Sequence, residues 1–228
     1  MKAANERWLF TCEHGGRDVP QGYAQLFQGA DDVLASHRGW DPGALQACDA
    51  LAPALADAVF TLEITRLFID ANRSLTHPRL FSEYTRGLSA PEKDAIIACW
   101  WRPWRADVAQ QIEHWIAAGH RVRHLSIHSF TPELDGERRN ADIGLLYDPA
   151  RASEREFCRR WQSLLLRRGW RVRRNYPYRG TTDGHTAALR KEFGPRYAGI
   201  ELELNQALFP ASTAALHAAL ATTLAQLR

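Results

Sequence analysis

The chain has 228 residues, a net charge of +3, 45% hydrophobic residues and 24% charged residues. These values suit a single globular domain over 1–228 with a sizeable core; they exclude a disordered chain and imply no wholesale nucleic-acid binding. No apolar run approaches the roughly 20 residues of a membrane span. Cys12, Cys48, Cys99 and Cys158 lie far apart with no CxxC pair, and the opening MKAANERW lacks the apolar core of a signal peptide. A cytoplasmic protein with reduced thiols and no membrane or nucleic-acid partner is expected; no oligomeric state follows.

In chain order, RWLFTC reads as a buried strand stopped by Glu13, His14 and two glycines, which permit a positive φ or a close backbone approach. DPGALQACDALAPALADA spaces Ala and Leu for one helical face, with Pro53 expected to interrupt it. VFTLEIT and RLFIDANR read as one strand, or two short ones, ending on polar residues. APEKDAIIACWWRPWRADVAQQIEHWIAAGH carries a long helical pattern in which Pro103 predicts a kink or break. RVRHLSIHSF and ADIGLLYD are strands. ASEREFCRRWQSLLLRRG is an amphipathic helix with Ser153 as its N-cap and Gly169 as its stop. WRVRRNYPY leads as a strand into a turn, HTAALRKEFG is a short helix, RYAGIELELNQ a strand, and ASTAALHAALATTLAQL the closing helix. This alternation predicts an α/β fold, a mixed and mostly parallel sheet flanked by helices.

In such folds a site lies outside the carboxyl ends of the strands. The residues there are Glu13 and His14; Asp70, Asn72 and Arg73; His128 and Ser129; and Glu201, Glu203 and Asn205, which share one face at period two. HRGWDPGA adds His37 and Asp41 just before a helix. Two histidines and a carboxylate suit a zinc ion with one open position, and a separate glutamate then serves as general base. A nearby arginine can hold a substrate carboxylate in a bidentate pair.

Each residue also has an ordinary structural reading. Asp41 suits a helix cap before Pro42, His128 a core histidine, Arg73 a partner for Asp70, and the β-strand glutamates a solvated face. Joint occurrence at strand ends is what those readings do not predict. Cys12 reads as packing rather than as a thiol nucleophile, and no GxSxG, GxGxxG or phosphate-loop pattern is present. RRGWRVRR reads as a solvated basic face, with an RNA-associated module as the rival.

TCEHGGRDVP, WDPGA, RLFIDANRS, HSFTPELDG, DIGLLYD, NYPYRG and ELELNQAL occur in the order found in the N-formylglutamate amidohydrolase family, and the chain resembles that family over nearly its whole length. The resemblance implies a hydrolase that binds one Zn2+ per chain, with a fold like that of the zinc carboxypeptidases. It implies His14 and His128 as metal ligands, with Asp41 preferred to Glu13 as the carboxylate ligand. Asn72 and Arg73 resemble a pair that grips a substrate carboxylate, and Glu203 resembles the catalytic glutamate. His185, after the Gly-Thr-Thr-Asp-Gly turn, is expected to line the substrate pocket. A common family ending resembles Glu-Ile-Arg-Gln-Asp, whereas this chain has ELNQA, with Asn205 and Ala207 in place of an arginine and an acid. The implied substrate is accordingly the broader class of small carboxylate-bearing amides, N-formyl or N-acyl amino acids. The alternative is a non-catalytic relative that binds a small acidic ligand or a partner.

Overall fold

The computed structural model describes residues 5–228; residues 1–4, which open MKAANERW, lie outside the described residues. The central sheet is built from β1 (Glu6–Cys12), β2 (Ala58–Thr61), β3 (Arg121–Phe130), β6 (Ile143–Leu146), β7 (Val172–Arg174) and β8 (Tyr197–Asn205); β4 (Glu133–Leu134) and β5 (Glu137–Arg138) form a separate short hairpin. The strand order is β2-β1-β3-β8-β6-β7. The first four strands are parallel, whereas β6 runs antiparallel to β8 and parallel to β7. The fold is thus mixed and mostly parallel, with helices on both faces.

β1 carries the apolar run Trp8–Phe10 that such double cover favours, whereas β3 and β8 alternate apolar with polar residues. On one face Phe10, Leu125, Ile127, Ile200 and Leu202 pack against α2 (Ala44–Leu55), α5 (Ala152–Leu166) and α7 (Thr213–Ala225). On the other, Leu9, Val122 and Tyr197 meet α4 (Arg102–Ala117) and α6 (His185–Phe193) through Trp104, Val108, Ile112 and Leu189. Along this second face the strands change character toward their carboxyl ends. Leu9 gives way to Thr11 and Glu13, Val122 to His124, Ser126 and His128, and Tyr197 to Glu201 and Glu203. All of these polar groups except the half-buried Glu201 are buried.

Several local expectations are corrected. RLFIDANR is not a strand: Phe68 N–H bonds back to Thr65 O and Arg73 N–H to Asp70 O, so the segment folds through turns. Its apolar residues Leu67, Phe68 and Ile69 are buried against Phe27, Leu80 and Ile96, a satellite core that an apolar run alone does not distinguish from a strand. The strand in VFTLEIT stops at Thr61. Pro53 stands in the last turn of α2 and marks its end rather than an interruption. Pro103 neither breaks nor ends its helix. A wide π turn (Ile97–Trp101) joins α3 (Ala90–Ile96) to α4 without a gap, and Pro103 sits in the first turn of α4. The N-cap of α5 is Arg151, with Ser153 already inside the helix. Gly169, at φ +85°, follows the end of α5 as expected. The glycines after β1 act through close approach alone: neither has a positive φ, and a Cβ on Gly16 would lie 2.6 Å from Glu63 Cα.

Candidate metal centre

The carboxyl ends of β1 and β3 and the loop before α2 converge on one buried point. Asp41 N–H donates to His14 O at 3.0 Å, which ties that loop to the end of β1. The helix behind Asp41 has Gly43 at its N-cap, so the Asp41 carboxylate carries no capping bond and turns inward instead. Its Oδ2 lies 3.3 Å from His14 Nδ1 and 2.9 Å from His128 Nδ1. One donor atom from each of the three residues falls within 4.8 Å of the others, and all three are buried.

The outer nitrogens of both rings are occupied. His14 Nε2 is 2.7 Å from Asp70 Oδ1, and His128 Nε2 is 2.8 Å from Ser126 Oγ. Arg66 forks between the two aspartates, 3.0 Å from Asp41 Oδ1 and 3.2 Å from Asp70 Oδ2. Against the cost of burial, contact with His14 and the Arg66 charge hold both the Asp41 and the Asp70 carboxyls well below the usual carboxylate range. Ionised Asp70 can only accept, so it fixes a proton on His14 Nε2 and leaves the Nδ1 lone pair facing Asp41.

That arrangement tests whether a cation fits. An imidazole lone pair, an ionised carboxylate and the second imidazole nitrogen point at one another, and this repels unless a proton or a cation lies between them. Without a cation His128 keeps the proton. Burial alone would lower its pKa, but the bond to Asp41 and the charges of Glu13, Asp41 and Glu203 outweigh it and hold the value up to about 10. A buried set of two imidazoles and one carboxylate fits zinc among divalent ions. Glu13, the competing carboxylate, is not in this cluster: its oxygens accept from Thr11, Ser126 and His185 behind His128.

Glu203 sits opposite His128 in the β3–β8 register, and on its other side Gly144 of β6 offers no side chain. It is 5% exposed, its Oε2 has no hydrogen-bond partner, and burial lifts its carboxyl to about 8 against the pull of His128. Asn72 and Arg73 arrive on the turn-forming segment. Asn72 Oδ1 accepts from His185 N–H at 2.7 Å at the start of α6, and Arg73 Nη1 donates to Asp183 O at 2.9 Å. Arg73 keeps its side chain 26% exposed, with Nε 3.7 Å from Asp70 Oδ2. His185, expected to line the substrate pocket, is 1% exposed, with Nδ1 3.4 Å from Glu13 Oε1. Burial lowers its pKa to about 4 in spite of Glu13, so the ring is neutral near pH 7. Cys12 is fully buried, and its thiol pKa is raised by that burial, so no thiolate is on offer.

Thr11, Arg66 and Ser126 are the neighbours that the sequence reading passed over. A signal was present for two of them, since Thr11–Glu13 and Ser126–His128 each place a hydroxyl two residues before an ionisable group on one strand face.

Fold and site together define a class: α/β enzymes that gather imidazoles and carboxylates at the carboxyl ends of parallel strands. Within it, the chain belongs to the N-formylglutamate amidohydrolase family, whose model it matches over residues 6–209. It is similar in structure to gene product Atu2144 from Agrobacterium tumefaciens, with a TM-score of 0.81 and 28% identity over 99% of this chain and 92% of that one. An N-formylglutamate amidohydrolase from Ralstonia eutropha JMP134 shares the fold, with a TM-score of 0.74 and 18% identity over 98% of this chain and 94% of that one. No functionally curated protein matches the chain. Family membership makes the protein an amidohydrolase, an enzyme that hydrolyses amide bonds of a small molecule. Among the described residues, no helix is long and apolar enough to cross a membrane.

Proposed function

We propose that the chain is a zinc-dependent amidohydrolase that cleaves the amide of a small carboxylate-bearing substrate, such as an N-formyl or N-acyl amino acid. The observation that carries this reading is Asp41 Oδ2 within 3.3 Å of His14 Nδ1 and 2.9 Å of His128 Nδ1. His14, Asp41 and His128 hold the ion, which when bound supplies Lewis-acid activation of water and polarisation of the amide carbonyl. Glu203 takes a proton from the attacking water and hands it to the leaving amine; its unpartnered oxygen and raised pKa suit both halves of that transfer. Arg73 receives the substrate carboxylate, with Asn72 fixing the adjoining start of α6. Likeness to the zinc carboxypeptidases and a cytoplasmic location belong to the same reading.

The test is metal content by mass spectrometry on protein purified without a histidine tag, beside a His128→Ala control. Hydrolysis of a panel of N-formyl and N-acyl amino acids is assayed in parallel. We expect close to one zinc per chain, lost in the variant together with activity. A chain that stays metal-free after zinc is added back overturns the proposal in favour of a relative that only binds an acidic ligand.

A further inference from the structure

Glu13 sits at the convergence of a buried hydrogen-bond chain whose direction can be deduced by counting protons. A hydroxyl has one proton to donate, and an ionised carboxylate has none. Ser126 Oγ–H donates to Glu13 Oε2 at 2.8 Å, so at its 2.8 Å contact with His128 Nε2 the hydroxyl oxygen has to accept. The proton therefore lies on His128 Nε2, and Nδ1 is the nitrogen left for Asp41 and the cation. Thr11 Oγ–H likewise donates to Glu13 Oε1 at 2.8 Å, so it accepts from His124 Nε2, 2.7 Å away. His124 Nδ1 then accepts from Tyr197 O–H at 2.6 Å. His185 Nδ1 completes the set, 3.4 Å from Glu13 Oε1. The donors arrive from β1, β3, β8 and α6, and all of them resolve on one acceptor.

We infer that Glu13 is a positioning residue for the metal centre, acting through Ser126 to hold the His128 ring with Nε2 protonated and Nδ1 turned toward the ion. This rests on the zinc reading above. It also explains why the carboxylate adjoining His14 is buried without being a ligand. Outer carboxylates of this kind orient a ligating imidazole and raise its basicity, and their loss weakens metal binding by about 10–100-fold.

Zinc affinity, measured by competition with a chromophoric chelator, tests this in Glu13→Gln and in Ser126→Ala. Glu13→Gln is expected to lose about 10–100-fold in affinity. Ser126→Ala is expected to lose less, since Glu13 Oε2 already stands 3.5 Å from His128 Nε2. Nitrogen-edited NMR of the zinc-loaded wild type should show a slowly exchanging His128 Nε2–H, shifted or lost in both variants. A merely structural role would lower stability and leave that resonance in place. Should Glu13→Gln fail to fold, Ser126→Ala, which keeps Glu13 on Thr11 and His185, still decides. Unchanged affinity with an unchanged resonance overturns the inference while the zinc site stands. A wild type that takes up no zinc overturns the functional reading, and this one with it.

Discussion

Among the buried carboxyl groups around the site, Glu203 is singled out by what it lacks. Asp41, Asp70 and Glu13 are each surrounded by donors, whereas the buried Oε2 of Glu203 has none. A group left unpartnered at a cost of about 1–3 kcal/mol is expected where a ligand or a reacting proton completes it. Glu203→Gln should therefore cut turnover by about 10²-fold or more, with zinc stoichiometry unchanged. Loss of zinc in that variant would make Glu203 a ligand and undo the assignment of roles. The histidines and Glu203 were legible in the sequence because they end apolar strands. The choice between Asp41 and Glu13 depends on which way a loop carboxylate turns, and residue type does not encode that. Arg66 was not legible either, since it lies in a segment whose turns look like a strand on paper.

At the scale of elements, β1, β3 and β8 were readable because each keeps one face apolar at period two. Their second faces carry polar residues at period two, ordinarily the mark of a solvated face, yet His124, Ser126 and His128 are all nearly inaccessible. The pattern reports a buried network because α4 and α6 cover it. The reversed pair β6 and β7 is fastened at its start by Asp142. This residue accepts from Arg171 N–H at 2.9 Å and from the Arg171 guanidinium, while its own N–H donates to Arg171 O at 2.8 Å. Burial opposes ionisation of Asp142, but the Arg171 bonds and charge outweigh it and lower the pKa. A carboxyl with a depressed folded-state pKa contributes stability that is complete above its unfolded value and lost as pH falls through its folded value. Asp142→Asn should thus lower Tm by about 2–4 °C near neutrality, with the difference from wild type shrinking below about pH 4. A constant difference down to pH 2 would place the effect in packing instead.

For the whole molecule, the proposed zinc ion, held at the point where β1, the loop before α2 and β3 meet, would bind the folded chain and not the unfolded one. At free zinc about 1,000-fold above Kd, that linkage contributes about 4 kcal/mol. At about 2–4 °C per kcal/mol for a chain of this size, stripping the metal should lower Tm by roughly 8–16 °C, read by scanning calorimetry with and without chelator. An identical Tm would mean that no cation is part of the folded state.

The order of the sheet also sets a timetable. β8 pairs with both β3 and β6, so the last strand in the chain is an inner one. A ribosome supplies His14, Asp41 and His128 well before Glu203, with about 75 residues still to come. At about 5–20 residues per second that interval is roughly 4–15 s. During it the nascent chain holds every proposed ligand but has a gap where the proposed general base belongs. On the proposed roles, ion capture and catalytic competence are therefore separate events in the birth of the protein, and the second waits for β8 to slot between its neighbours.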